Sequence, residues 1–174
     1  KCQTSSWHRP MASSMPTGLK ISGLYPTSIL AKTEALAAGF DEAILLNQDG
    51  SVSEGSGENL FMIRDGVINT PSETDNCLLG ITRDSVSQLP KDELGLEVVQ
   101  RHIHRSELYL ADEVFLTGTA AHLTSVGELD NRNIGTGETG PITKKLQDSY
   151  FSTVVGDNER YLDWCTMVTP PSAG

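Results

Sequence analysis

Lys20 stands between Leu19 and Ile21, with Ser22-Gly23 after it and Tyr25 five residues on. An amine in an apolar, small-residue setting is a candidate nucleophile towards a carbonyl, because desolvation disfavours its charged form. The same residue fully in water is an ordinary surface lysine. The Tyr25 phenol can hydrogen-bond a ligand oxygen or pack as an aromatic. Further on, Ser53-Glu-Gly-Ser-Gly-Glu-Asn-Leu-Phe61 sets two glycines between Glu54 and Glu58. Glycines let the backbone approach another group closely. A carboxylate fixed there suits a positively charged ring nitrogen, although a solvated glutamate fits the composition too. Gly80-Ile81-Thr82 stands at a helix start, where free N–H groups and the helix dipole can hold an anion. An ordinary helix cap accounts for the same residues. Gly118-Thr119-Ala120 follows a buried strand and offers a second anion cradle or a simple turn.

The elements that must position these groups follow from pattern. Residues 1–24 are polar, with Pro10, Pro16, Gly18 and Gly23, and read as linker and extended structure. Pro26 suits the first turn of a helix whose buried stripe is expected at Ile29, Leu30, Ala35, Leu36 and Ala37, closed by Gly39. Residues 42–47 and 51–54 form a hairpin about Asp49-Gly50, and residues 59–64 and 67–70 another about Asp65-Gly66. A loop over 71–79 leads into a helix from Gly80 to about Leu89, with a break or kink at Pro90. A strand over 97–103, a short helix over 107–111 capped by Ser106, and a buried strand over 113–117 follow. A strand pair spans roughly 123–135. Gly140-Pro141 opens a last helix to Val155, with Leu146, Phe151 and Val154 as core positions. The tail frays towards Pro170-Pro171. The pattern is α+β with a mainly antiparallel or mixed sheet and flanking helices.

The 174 residues suffice for one domain with a real core, and a hydrophobic content of 37% with 21% charge describes a globular chain. A net charge of -10 disfavours nucleic acid or an anionic membrane as the main partner, and no apolar run is long enough to span a bilayer. Cys2, Cys77 and Cys165 lie far apart, with no paired spacing, which suits a reducing compartment. His102 and His104 alternate as on one face of a strand; with no third ligand they read as a polar face, and no metal is expected. The start, Lys1-Cys-Gln-Thr-Ser-Ser-Trp-His, carries no signal-peptide pattern and reads like the middle of a longer protein.

Taken together, a lysine, a tyrosine, a carboxylate and two anion cradles match the needs of pyridoxal 5'-phosphate: an amine for the aldehyde, a carboxylate for the ring nitrogen, N–H groups for the phosphate. Five stretches carry a resemblance to a known family. They are Leu19-Lys20-Ile-Ser-Gly-Leu-Tyr25, residues 53–61, Gly80-Ile-Thr-Arg-Asp84, Ala111-Asp-Glu-Val-Phe-Leu-Thr-Gly-Thr-Ala-Ala121 and Gly140-Pro-Ile-Thr-Lys144. In type, order and spacing the set resembles the fold-type IV pyridoxal-phosphate enzymes, and within them the branched-chain amino acid aminotransferases.

The resemblance implies a pseudo-barrel sheet with flanking helices. It implies amino-group exchange between leucine, isoleucine or valine and 2-oxoglutarate. Lys20 is implied as the residue that bonds the cofactor aldehyde and shuttles the proton. Tyr25 is implied at the phenolic oxygen with Arg9 near the same edge, and Glu54 at the ring nitrogen. Ile81, Thr82 and Thr119 are implied at the phosphate, and Thr119 and Ala120 at the substrate carboxylate. Glu58 and Asn59 read as support for the loop. Family members also carry a smaller N-terminal domain with a phosphate-binding arginine, which this chain does not match. Residues 1–18 are then an interdomain linker or the start of the large domain, and residues 19–174 the cofactor-binding large domain. Pro90, Glu93 and Ser125 depart from the family pattern. The implied partners are small amino and 2-oxo acids and a second copy in a homo-oligomer, with a cytoplasmic location. The alternatives are a D-amino acid aminotransferase or aminodeoxychorismate lyase of the same fold, and a non-catalytic fragment.

Overall fold

A computed structural model describes residues 1–166 and 168. Ten strands form two five-stranded sheets. The first holds β1 (Cys2–His8), β2 (Glu42–Leu46), β3 (Val52–Gly55), β9 (Glu128–Leu129) and β10 (Arg132–Asn133), in the order β10-β9-β1-β2-β3. The second holds β4 (Asn59–Arg64), β5 (Val67–Thr70), β6 (Val98–Gln100), β7 (Glu113–Gly118) and β8 (His122–Ser125), in the order β6-β5-β4-β7-β8. Both sheets are mixed. β1 runs parallel to β2 and β9, β5 runs parallel to β6, and the other pairs are antiparallel. The α+β class expected from the pattern is observed; the two sheets stay separate instead of closing into one barrel.

Strand alternation explains the layering. Ile44 and Leu46 of β2 meet Leu60 and Met62 of β4 and Val114 and Leu116 of β7 in a core between the sheets. The opposite face of β2, Ala43 and Leu45, packs against Ala31 and Ala35 of α1 (Tyr25–Ala37). The opposite face of β4 and β7, Phe61, Ile63 and Phe115, packs against Val86 and Leu89 of α2 (Ile81–Leu89). Leu146 and Tyr150 of α4 (Pro141–Val154) complete that layer. Phe61 and Phe115 are cross-strand partners whose rings stack at 4.9 Å. The order of layers is helix, sheet, sheet, helices. It explains why β2, β4 and β7 are apolar almost without interruption: both their faces are covered.

Both hairpins fall where expected, with Gly50, Asp65 and Gly66 in the left-handed region that tight turns demand. Other expectations are corrected. Within residues 1–24, read as linker and extended structure, Cys2–His8 is a strand inside the first sheet, held on both edges. The buried face of α1 is Ser28, Ala31 and Ala35, while Ile29, Leu30 and Leu36 are exposed. Small residues let this helix lie close to the sheet, so the larger apolar side chains face outwards. Phe151 and Val154 of α4 are likewise exposed, and Thr143 and Thr153 are buried in their stead. At Pro90 the helix does not break; residues Pro90–Leu94 continue as a wider π turn ended by Gly95 in the left-handed region. Ser106 is inside α3 (Arg105–Leu108), which is capped by His104 with Glu107 closing the capping box. His102 and His104 share no strand: their rings meet edge to face at 5.2 Å, and His102 Nδ1 lies 2.8 Å from Asp75. Glu159–Trp164 forms a 3-10 turn that buries Tyr161, and the fray expected at Pro170-Pro171 falls outside the described residues.

Candidate active site

The chain crosses from the first sheet to the second between β3 and β4, through Ser56-Gly57-Glu58. Gly55 N–H donates to the Glu58 carbonyl at 2.7 Å and tightens this corner. A cleft of about 280 Å³ opens beside it. Its walls come from the segment before α1, the β3–β4 corner, the start of α2 and the end of β7. Lys20, Tyr25, Arg9, Glu54, Ile81, Thr82 and Thr119 all line this one cleft. Ala120 follows Thr119 in the β7–β8 turn and is exposed, but it is not among the lining residues.

Glu54 forms the buried end. Its Oε1 pairs with Arg9 at 2.5 Å, with both side chains almost fully buried. Its Oε2 accepts the Leu78 N–H at 3.0 Å and the Asn59 side-chain amide at 3.2 Å. Burial pushes the carboxyl up to about 7, against the opposing pull of Arg9 and the Leu78 N–H. Arg9, expected near Tyr25, is engaged with Glu54 and donates from Nε to the Asn76 carbonyl at 3.4 Å. Its place follows from β1, whose ladder to β2 continues through Arg9 N–H to the Leu46 carbonyl at 2.9 Å.

The start of α2 forms the opposite wall. Gly80 is the N-cap and no side chain caps the first N–H groups, so those of Ile81 and Thr82 are free to meet an anion. Ile81 is exposed and Thr82 buried. Gly118 brings β7 close to the corner: a Cβ there would lie 3.4 Å from both the Gly57 carbonyl and Glu58. The Glu58 carboxylate turns back on its own loop and accepts the Gly57 N–H at 3.0 Å. Burial and the neighbouring Glu42 carboxylate raise its pKa. Cys77, next to this wall, is held up to about 11 by burial and is not a reactive thiol.

The mouth is open. Lys20 is exposed, and Tyr25, the first residue of α1, is 48% exposed. The desolvation expected around Lys20 is therefore not supplied by the described residues of this chain. Sequence reasoning missed the depth of Asn59, whose amide is buried and bonded on three sides. The signal was present: an amide that opens an otherwise apolar strand must find partners. Among the described residues no group of histidine, cysteine and acidic side chains could hold a metal ion. Nor is any described helix long and apolar enough to cross a membrane.

A fold of two mixed sheets with a lysine, a buried carboxylate and an uncapped helix start around one cleft defines a class. The chain belongs to the amino-transferase class IV family, whose model matches residues 1–129. Its relatives narrow this further. A probable branched-chain-amino-acid aminotransferase of Aquifex aeolicus is 56% identical over 168 residues, covering 97% of this chain and 54% of that protein. The branched-chain-amino-acid aminotransferase of Escherichia coli K12 is 44% identical, covering 94% and 53%. A crystal structure of a T.th. branched-chain amino acid aminotransferase, complexed with N-(5'-phosphopyridoxyl)-L-glutamate, superimposes with a TM-score of 0.94 at 50% identity, covering 97% of this chain and 57% of that one. The chain thus spans about half the length of the curated relatives it matches.

Proposed function

We propose that this chain is the cofactor-binding large domain of a pyridoxal 5'-phosphate-dependent branched-chain amino acid aminotransferase. The observation that carries the reading is the convergence on one cleft of seven residues that lie in separate stretches of the sequence, from Arg9 to Thr119. The donor set fits the cofactor. Glu54 is a buried carboxylate able to accept from a protonated ring nitrogen. The uncapped start of α2 and the Thr82 and Thr119 hydroxyls suit a phosphate. Lys20 offers an amine at the mouth.

When bound, pyridoxal phosphate supplies an aldehyde that condenses with amines and a ring that takes up the electron pair of the substrate carbon. The chain's residues do the rest. Lys20 Nζ would hold the cofactor through its aldehyde and, when free, would carry the proton at the substrate α-carbon. Glu54, its charged form favoured by Arg9, the Leu78 N–H and a cationic ring, holds the ring nitrogen protonated. Tyr25 donates to the phenolic oxygen. Ile81, Thr82 and Thr119 hold the phosphate, and Thr119 and Ala120 present N–H groups to the substrate carboxylate. Leucine, isoleucine and valine are the proposed donors and 2-oxoglutarate the acceptor, with residues 1–18 leading into the domain. The open mouth and the shorter length support a site completed by further chain and by a second copy in a homo-oligomer. Three unpaired cysteines support a cytoplasmic location.

The test is spectroscopic. Mixing the chain with pyridoxal phosphate should produce a visible absorption band that is missing in Lys20→Ala. A band that persists in that variant would remove Lys20 from its role. In the intact enzyme, turnover with D-alanine and none with leucine would move the activity to another branch of the family.

A further inference from the structure

Asn59 opens β4 where the chain passes between sheets, and its side chain is buried. Both ends of its amide are used. Nδ2 donates to Glu54 Oε2 at 3.2 Å and to the Leu78 carbonyl at 2.6 Å, and Oδ1 accepts the Gly80 N–H at 3.3 Å. One planar group therefore joins the carboxylate at one end of the cleft to the residue that starts α2 at the other. Gly80 has φ -70° and ψ 146°, a conformation open to any residue. What requires glycine is Asn59: a Cβ on Gly80 would lie 2.5 Å from its Oδ1.

A ligand with a ring nitrogen at one end and a phosphate at the other needs its two subsites held at its own length. Only then does the first contact make the second intramolecular. We infer that Asn59 is a positioning residue that sets the separation between the Glu54 subsite and the Gly80–Thr82 anion subsite. It lines the cleft, and its amide is taken up by Glu54, Leu78 and Gly80. The inference rests on the cofactor reading above and adds to it the source of the fit.

Three probes separate the ends from their connection: pyridoxal for the ring end, inorganic phosphate for the anion end, and pyridoxal phosphate for both. Each is titrated into the intact enzyme in its unsubstituted, Asn59→Ala and Gly80→Ala forms, the last disturbing the same bridge from its other side. Thermal unfolding of each protein without ligand reports whether it is folded. The expected result is a loss of about tenfold or more in affinity for pyridoxal phosphate in both variants, with less than about threefold change for either half alone. A purely structural residue would weaken all three probes alike. Equal losses, undiminished pyridoxal phosphate affinity, or failure of both variants to fold would each overturn the inference while leaving the cofactor reading intact. Absence of pyridoxal phosphate binding by the unsubstituted intact enzyme would overturn both.

Discussion

Two opposed forces act on Glu54. Removal from water favours its neutral form, and Arg9 at 2.5 Å favours the charged one. Burial prevails, with the carboxyl held at about 7 against an ordinary value of 4.5. The folded state then binds a proton that the unfolded state releases between those values. Its contribution is a stability that is present below about pH 4.5 and lost as pH rises to about 7. Glu54→Gln removes this slope. Urea unfolding from pH 4 to pH 8 should show the unsubstituted chain losing on the order of 3 kcal/mol relative to the variant, the loss levelling off about one pH unit above 7. A difference that stays constant with pH would mean that the Glu54 carboxyl titrates alike in the folded and unfolded chain. In the intact enzyme the same variant should keep bound cofactor and lose most turnover, as a neutral amide cannot hold the ring protonated. Lys20, Tyr25 and Glu54 could be picked from the sequence because their chemistry is written in their type and local spacing. The particular partners of Asn59 and the pairing of Arg9 with Glu54 could not. Their roles come from contacts between residues far apart in the chain, such as Arg9 with Asn76.

At the scale of elements, hairpins were legible and helix faces were not. Asp49-Gly50 and Asp65-Gly66 specify their turns locally, since few residues adopt left-handed backbone cheaply. The packed face of α1 is chosen by its neighbour, which favours Ala31 and Ala35 over the larger Leu30 and Leu36. The start of α4 is another long-range choice. Glu113, buried in β7, accepts the Ile142 N–H at 3.0 Å and the Thr143 N–H at 2.7 Å, so a strand carboxylate caps a distant helix. A Cβ on Gly140 would lie 2.1 Å from the Glu113 carboxyl carbon. Gly140→Ala must displace that cap, and should lower stability by about 2 kcal/mol or more in denaturant unfolding. An unchanged midpoint would show that α4 starts independently of Glu113.

For the whole molecule, β1 is the strand that closes the first sheet. Thr4 pairs with Ile44 on one side, and on the other its N–H donates to Asp130 Oδ1 at 2.6 Å. Asp130 also accepts from Tyr109 at 2.6 Å and Arg105 at 2.8 Å, gathering three segments. Thr4→Pro takes away that donor and should destabilise the chain by about 3 kcal/mol or more, measured by thermal or urea unfolding. A variant of native stability would return residues 2–8 to the role of a linker. The polar composition of this segment concealed its place, because its partners lie far along the chain and its outer residues remain in contact with water.

The closure of β1 also has a schedule. Thr4 and Asp130 are 126 residues apart. On a ribosome adding about 5–20 residues per second, the Asp130 side of β1 waits on the order of ten seconds for its partner to be made. During that interval β1 can align with β2, but its other edge is an open row of backbone donors and acceptors. Gln3, Thr4, Ser5 and Ser6 give this strand polar side chains on both of its faces. The polarity that hides β1 from a hydrophobic reading thus limits the apolar surface this strand exposes before residues 128–133 emerge.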